Sequence, residues 1–205
     1  MRKSAIKIIV LMMLMLGALS IVGCSSQQHA ISPGQLAVLN EITAGDIPAE
    51  QVKLVEIEPS VARKFPAVDK MFKVSGGSTR CYGLLVSPQG YRAPINIMVV
   101  IDPVQNQVIG IKVLQQDETP GYGEWLAEDW FVKRFVGKGT DQYLKRVVLE
   151  AKETNDIIQI TSATVTTQAV INGVNAAMGT YREVVLGQTA PKVPLKVKGY
   201  ICEDP

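Results

Sequence analysis

Apolar residues recur at helical spacing from Gly34 to Ala44 (Leu36, Val38, Leu39, Ile42), and Gly45-Asp46 closes the run, so the pattern predicts a first helix. Val61 to Val74 is patterned more weakly and reads as a short helix around Pro66 to Met71 followed by an edge strand, with Ser75-Gly76-Gly77-Ser78 as a loop. Three β-branched runs follow, Cys81 to Val86, Ile95 to Ile101 and Val108 to Leu114, separated by Pro88-Gln89-Gly90 and by Asp102-Pro103 to Asn106. They predict a β-meander in which Ile95, Ile97, Val99 and Ile101 share one face and Ile109, Ile111 and Val113 pair with them. Glu124 to Phe135 has the pattern of an amphipathic helix, and Val147 to Leu149 and Asp156 to Ile160 read as further strands. Thr167 to Leu186 is the strongest helical pattern, with Val170, Val174, Ala177, Tyr181, Val184 and Val185 at three- and four-residue spacing. With no internal repeat and no second domain, the expected fold is one α+β domain, an antiparallel β-meander packed with helices and ending in a long C-terminal helix.

The first residues stand apart from this pattern. Arg2, Lys3 and Lys7 precede an apolar run, Ile8 to Val22, that is short for a membrane span and reads as an export signal. The run closes on Ile21-Val22-Gly23-Cys24, which resembles the lipobox of bacterial lipoproteins, in which the cysteine becomes the lipidated first residue; an uncleaved signal anchor is the alternative. Either way the chain is expected to be exported and held at a membrane surface, on the outer face of a cytoplasmic membrane or in a periplasm. The expected organisation is a signal peptide over 1–23, a polar tether over 24–33 and a domain over 34–205.

Charge changes the picture once the signal is set aside. Residues 1–23 hold three of the 21 basic residues and no acidic ones, so the remaining 182 residues carry 18 basic against 19 acidic side chains, a net charge of −1. No electrostatic case for nucleic acid survives. With Cys24 lipidated, Cys81 and Cys202 remain; in an exported protein they are compatible with one disulfide and equally with two free thiols, and the sequence leaves both open. A single histidine at position 29 and no C-x-x-C leave no basis for an ordinary metal or His-based catalytic site.

Two polar stretches carry candidate chemistry. Thr119-Pro120-Gly121-Tyr122 places Pro and Gly where a type II turn requires them, and Gly123 is a further point of close backbone approach. The segment is either a rigid loop presenting Glu118, Thr119 and backbone amides to a ligand or a plain connection between strand and helix. The second stretch, Thr161-Ser162-Ala163-Thr164-Val165-Thr166-Thr167, puts five hydroxyls at the mouth of the long helix. A helix N-terminus offers unpaired amides and the positive end of its dipole to an anion. One hydroxyl suffices for a cap, which leaves the others to be explained.

Glu118-Thr119-Pro120-Gly121-Tyr122-Gly123, followed by Trp130 and Phe135 and preceded by Gly90-Tyr91-Arg92-Ala93-Pro94-Ile95, resembles the E-T-P-G signature of the FMN-binding domain family. That family includes the G subunit of Rnf electron-transport complexes and the C subunit of the sodium-pumping NADH:quinone reductase. The resemblance runs from about Tyr82 to Val185. The hydroxyl-rich stretch is similar to the family's D-x-x-[ST]-G-A-T-x-[ST]-[ST], with Ser162 in the place of the Gly and Ile158 in the place of the Asp, while Asp156 lies two residues earlier. The resemblance implies an electron-carrying flavoprotein with FMN held on Thr164 through a phosphoester. Thr161, Ser162, Ala163, Val165 and Thr166 would surround the phosphate, and Glu118, Thr119, Pro120, Gly121, Tyr122 and Gly123 would flank the ring. Of the aromatic residues Tyr91, Tyr122, Trp125 and Trp130, Tyr122 is the one placed inside the loop. The implied partners are redox membrane proteins or complex subunits, a flavin transferase for maturation and the membrane through the lipid anchor. A flavin-free or non-covalent FMN-binding module is the alternative. No G-x-G-x-x-G follows a strand, so a stand-alone nicotinamide-dependent enzyme is not indicated.

Overall fold

The computed structural model describes residues 30–76, 79–195 and 197. Cys24, Cys202, the signal segment and most of the tether lie outside the described residues. The first helix, α1 (Pro33–Thr43), starts on a capping box: the Gln35 amide donates to Ser32 Oγ at 3.3 Å and the Ser32 amide to Gln35 Oε1 at 3.2 Å. Residues 30–33, expected in the tether, belong to this start, and Ile31 is buried beside Leu39.

A 3-10 turn, Ala49–Gln51, leads into β1 (Val52–Val55), which the sequence pattern did not disclose. The helix expected around Pro66 to Met71 lies earlier, as α2 (Pro59–Lys64), because Pro59 is well placed at its first turn. Met71 belongs instead to β2 (Val68–Gly76). β3 (Thr79–Val86), β4 (Asn96–Asp102) and β5 (Gln107–Gln115) complete one antiparallel five-stranded sheet in sequential order. Ser75 and Gly76, expected in a loop, continue the ladder opposite Arg80 and Thr79, and Gly77 and Ser78 lie outside the described residues.

Both faces of this sheet are covered. Met71, Leu84, Ile97, Val99, Ile101 and Ile111 point to one core, and Phe72, Val74, Cys81, Leu85, Met98 and Val100 to a second core under α1. Burial on two sides explains why β4 is apolar almost throughout. Ile97 pairs with Val113 and Val99 with Ile111 as the alternation requires, but a register shift between Val100 and Ile101 brings Val108 opposite Ile101 and turns Ile109 toward α1. Cys81 is buried among these apolar neighbours, and burial pushes its thiol up to about 12.

The amphipathic helix expected over Glu124 to Phe135 is broken into a 3-10 turn (Gly123–Ala127), the short α3 (Asp129–Val132) and a second 3-10 turn (Lys133–Phe135). Phe131 and Phe135 are buried while Trp125 and Trp130 stay exposed. β6 (Lys145–Val147) and β7 (Asp156–Ile158) form a separate parallel pair; Val148 and Leu149, expected in a strand, are exposed beyond its end. The long helix α4 (Thr164–Val184) starts three residues before the expected Thr167. Its Asn175 brackets β6, accepting the Leu144 amide at 2.8 Å and donating to the Leu144 carbonyl at 3.0 Å.

Small residues let α4 lie close to its neighbours. A Cβ at Gly179 would come within 2.6 Å of the Phe65 ring, and one at Gly173 within 2.7 Å of Pro88. Gly179→Ala is therefore expected to lower the free energy of unfolding by roughly 1–2 kcal/mol, overpacking outweighing the gain in helix propensity. Gly34→Ala in α1, where nothing lies within 4 Å of the added Cβ, is expected to be neutral or stabilising; denaturant titration of both variants distinguishes packing from propensity.

Candidate functional site

The loop after β5 is built as its composition requires. The Tyr122 amide donates to the Thr119 carbonyl at 3.2 Å and Gly121 has φ +77°, the two marks of a type II turn with Pro120 at its second position. Glu118, at the base of the turn, is 3% exposed. Its carboxylate accepts the amides of Tyr91 at 3.2 Å and Arg92 at 3.0 Å, and the Thr166 hydroxyl. One buried side chain thus joins three segments distant in sequence: the Gly90-to-Ile95 loop, the 118–123 loop and the first turn of α4. The glycines beside it have no room for a side chain. A Cβ at Gly90 would lie 2.6 Å from Glu118 Oε1, and one at Gly123 would lie 2.8 Å from both Glu118 Cβ and Thr166 Oγ1.

The five hydroxyls separate into different tasks. Thr167, fully buried, accepts the Ile160 amide at 3.1 Å, and Thr166 is bound to Glu118, so both lock the helix start into the body. Neither caps α4: its N-cap residue is Ala163, which supplies no side-chain bond. Ser162 adopts φ +61°, a left-handed conformation that glycine enters without strain and that costs an L-residue roughly 1–2 kcal/mol. Thr164 opens the helix, and its hydroxyl donates to Gln159 Oε1 at 3.5 Å. The first helix amide with a backbone partner is that of Thr167, bonded to the Ala163 carbonyl at 2.9 Å. The amides of Thr164, Val165 and Thr166 have no protein acceptor among the described residues.

Those three residues line a cavity of about 210 Å³, together with Ser162, Ala163, Thr119, Gly123 and the rings of Tyr91 and Tyr122. A shallower groove of about 540 Å³ adjoins it, sharing Tyr122 and Ser162 and walled by Gly121, Trp125, Trp130, Ile160 and Thr161. The two hollows together fall in the range of small-molecule sites, with an anion-binding helix end in one and flat aromatic faces in the other. Tyr91, Tyr122, Trp125 and Trp130 are all among the exposed large side chains, so the structure gathers the four aromatics at one rim. Arg134 stacks behind Trp130 at 4.8 Å from the ring centroid and donates to the Ile158 carbonyl.

The site thus unites nearly all the expected residues, with two exceptions. Glu118 is spent on holding the loops and does not line either hollow, and Pro120 serves the turn alone. Asp156 is committed elsewhere: its carboxylate accepts the amides of Lys152 and Glu153, each at 2.9 Å, and these bonds, first that of Glu153, hold its pKa below the usual carboxylate value. The sequence pattern does not single out Arg146, Gln159 and Gln168. Their shared contacts join β6, the exit of β7 and α4, a juxtaposition that no local spacing signals.

Comparison with known proteins places these features. The sequence profile of the FMN-binding domain matches residues 90–179, from the glycine beside Glu118 to the small-residue face of α4. The G subunit of the ion-translocating oxidoreductase complex of Vibrio atlanticus is 30% identical over 152 residues, 70% of each chain. The G subunit of the Na(+)-translocating ferredoxin:NAD(+) oxidoreductase complex of Acetobacterium woodii is 27% identical over 140 residues, 67% of each chain. Among solved structures, the C subunit of the Na(+)-translocating NADH-quinone reductase from Parabacteroides distasonis has the same fold, with a TM-score of 0.55 over 78% of this chain and 100% of its own, at 15% identity.

Removing the carboxylate in Glu118→Ala strips three donors of their acceptor and is expected to destabilise the protein by about 2–4 kcal/mol. Hydrogen exchange at the Tyr91 and Arg92 amides should then accelerate more than at the central strands. At Ser162, Val is expected to cost about 1–2 kcal/mol while Gly is neutral or stabilising, because only the backbone angle is at issue; thermal unfolding of the two variants reads the difference.

Proposed function

Because this chain belongs to the FMN-binding domain family, we propose that it is an electron carrier resembling the G subunits of these complexes, with its FMN joined to Thr164 through a phosphoester. The observation that carries the reading is the open end of α4. Thr164, Val165 and Thr166, whose amides have no protein acceptor among the described residues, line a cavity at the positive end of a 21-residue helix. Aromatic faces stand in the adjoining groove. The residues present fit a phosphate at one end and a flat ring at the other.

FMN, when bound, supplies the one- and two-electron chemistry. The chain binds and orients. Gln159 Oε1 accepts a hydrogen bond from the Thr164 hydroxyl. The Glu118 clamp keeps Tyr91 and Tyr122 at the cavity wall, and Tyr122, Trp125 and Trp130 present faces for stacking. Attachment would require a flavin transferase and a flavin dinucleotide donor: Thr164 Oγ1 would bond to the FMN phosphorus as the donor's pyrophosphate bond broke, releasing a nucleoside monophosphate and the hydroxyl proton. A permanent link suits an exported carrier, for which a dissociated cofactor is lost. On this reading the chain lies outside the cytoplasmic membrane, is held by lipid on Cys24, and exchanges electrons with redox subunits of a membrane complex.

A second reading, FMN bound without a covalent link, is favoured by Ile158. The family's acid is missing there, and Asp156 cannot replace it because its carboxylate is engaged by the 152–156 turn. Ser162 does not argue the same way, since it already adopts the backbone angle a glycine would.

Protein coexpressed with a flavin transferase is expected to carry one FMN phosphoester on the peptide containing Thr164, and Thr164→Val none, by intact-mass and peptide mass spectrometry. An unmodified wild-type peptide sinks the covalent link. Yellow colour retained by Thr164→Val identifies non-covalent FMN instead.

A further inference from the structure

A chain of polar contacts runs from Thr164 into the body of the protein and contains one cation. The Thr164 hydroxyl and an Arg146 terminal nitrogen both donate to Gln159 Oε1. Arg146 Nε donates to Gln168 Oε1 at 3.3 Å, and Gln168 Nε2 to Asn172 Oδ1 at 3.0 Å. Thr164, Gln168 and Asn172 are spaced by four residues and lie along one face of α4, with Arg146 reaching them from β6.

Three features of Arg146 are unusual for a guanidinium that does no more than bind its neighbours. It is half-buried, yet no ion pair among the described residues includes it. Its two protein acceptors are neutral amide oxygens, which fix the plane of the fork without neutralising its charge. Its other N–H groups, out of the five an arginine carries, have no protein acceptor among the described residues. Because Arg146 and the Thr164 hydroxyl share one acceptor atom, the charge stands within two hydrogen-bond lengths of the oxygen that opens the helix. Arg146 is not among the residues lining either hollow, but a planar fork at that distance from Thr164 Oγ1 matches the oxygens of a phosphate group carried there.

We propose that Arg146 is the counter-ion of the flavin phosphate at Thr164, and that it makes the site select phosphorylated flavin over its neutral nucleoside-like counterpart. This rests on the assignment of the cavity to FMN and does not require the covalent link. Gln159 and Gln168 are positioning residues for the guanidinium: they hold it by oxygens that an anion does not displace. The unpaired amides of Thr164 to Thr166 give the phosphate its directional contacts, and Arg146 supplies the full charge that amides lack.

The test compares FMN with riboflavin, which lacks the phosphate, by flavin fluorescence titration of the full chain produced without a flavin transferase. Wild type is expected to bind FMN at least about tenfold more tightly than riboflavin. Arg146→Gln is expected to lose most of that preference through weaker FMN binding with riboflavin affinity unchanged. Arg146→Lys should recover part of it, and Lys145→Gln, which removes the same charge from an exposed neighbour on β6, should retain it. A loss of affinity for both flavins in Arg146→Gln, an unchanged ratio, or a wild type without preference for FMN overturns the assignment. Intact mass of coexpressed protein reports separately on the covalent link: FMN preference without an adduct sinks that link and leaves Arg146 in place.

Discussion

The site depends on a buried carboxylate. Glu118 sits where its own loop meets two other chain segments, which between them contribute two N–H groups and one O–H that would otherwise be unsatisfied away from water. An anion at this depth is tolerable because its lone pairs are occupied by three donors and because it lies beside the positive end of α4. The same contacts fix the spacing between the Tyr91 loop, the type II turn and the helix start. Gly90 and Gly123 are required by this arrangement, since any side chain there would displace the carboxylate or the Thr166 hydroxyl.

The binding end of α4 is the complement of that clamp. Ordinary helices satisfy their first amides with a cap. Here the N-cap position is held by Ala163, which has no side-chain acceptor, and the hydroxyls of Thr166 and Thr167 are turned to Glu118 and to the Ile160 amide. The helix is consequently anchored by its side chains while three amides face the cavity. Arg146, whose acceptors among the described residues are two amide oxygens, shares one of them with the Thr164 hydroxyl.

The two departures from the motif that the hydroxyl-rich stretch resembles have different structural meanings. Ser162 adopts a left-handed backbone that glycine would adopt without strain. Ile158 stands where that motif has an acid, and the Asp156 carboxylate two residues earlier is held by its own turn.

Local chemistry was legible in the sequence. The Pro-Gly turn, the alternation of β4 and the periodicity of α4 each arise from residues a few positions apart, whose preferences do not depend on distant partners. The two motifs singled out by their composition also meet in space, with Thr164 beside the 119–123 loop. What remained hidden was every property that depends on which distant groups meet. The broken helix around Trp130 has a helical pattern, but burying Phe131 and Phe135 while leaving the two tryptophans at the rim is a tertiary outcome. The register shift in β5 turns Ile109 to the opposite face, which alternation cannot foresee. Above all, the roles of the hydroxyls and of Arg146 were decided by contacts across 48, 22 and 13 residues. A side chain's type sets which bonds it can make; only the fold sets which of them are already taken.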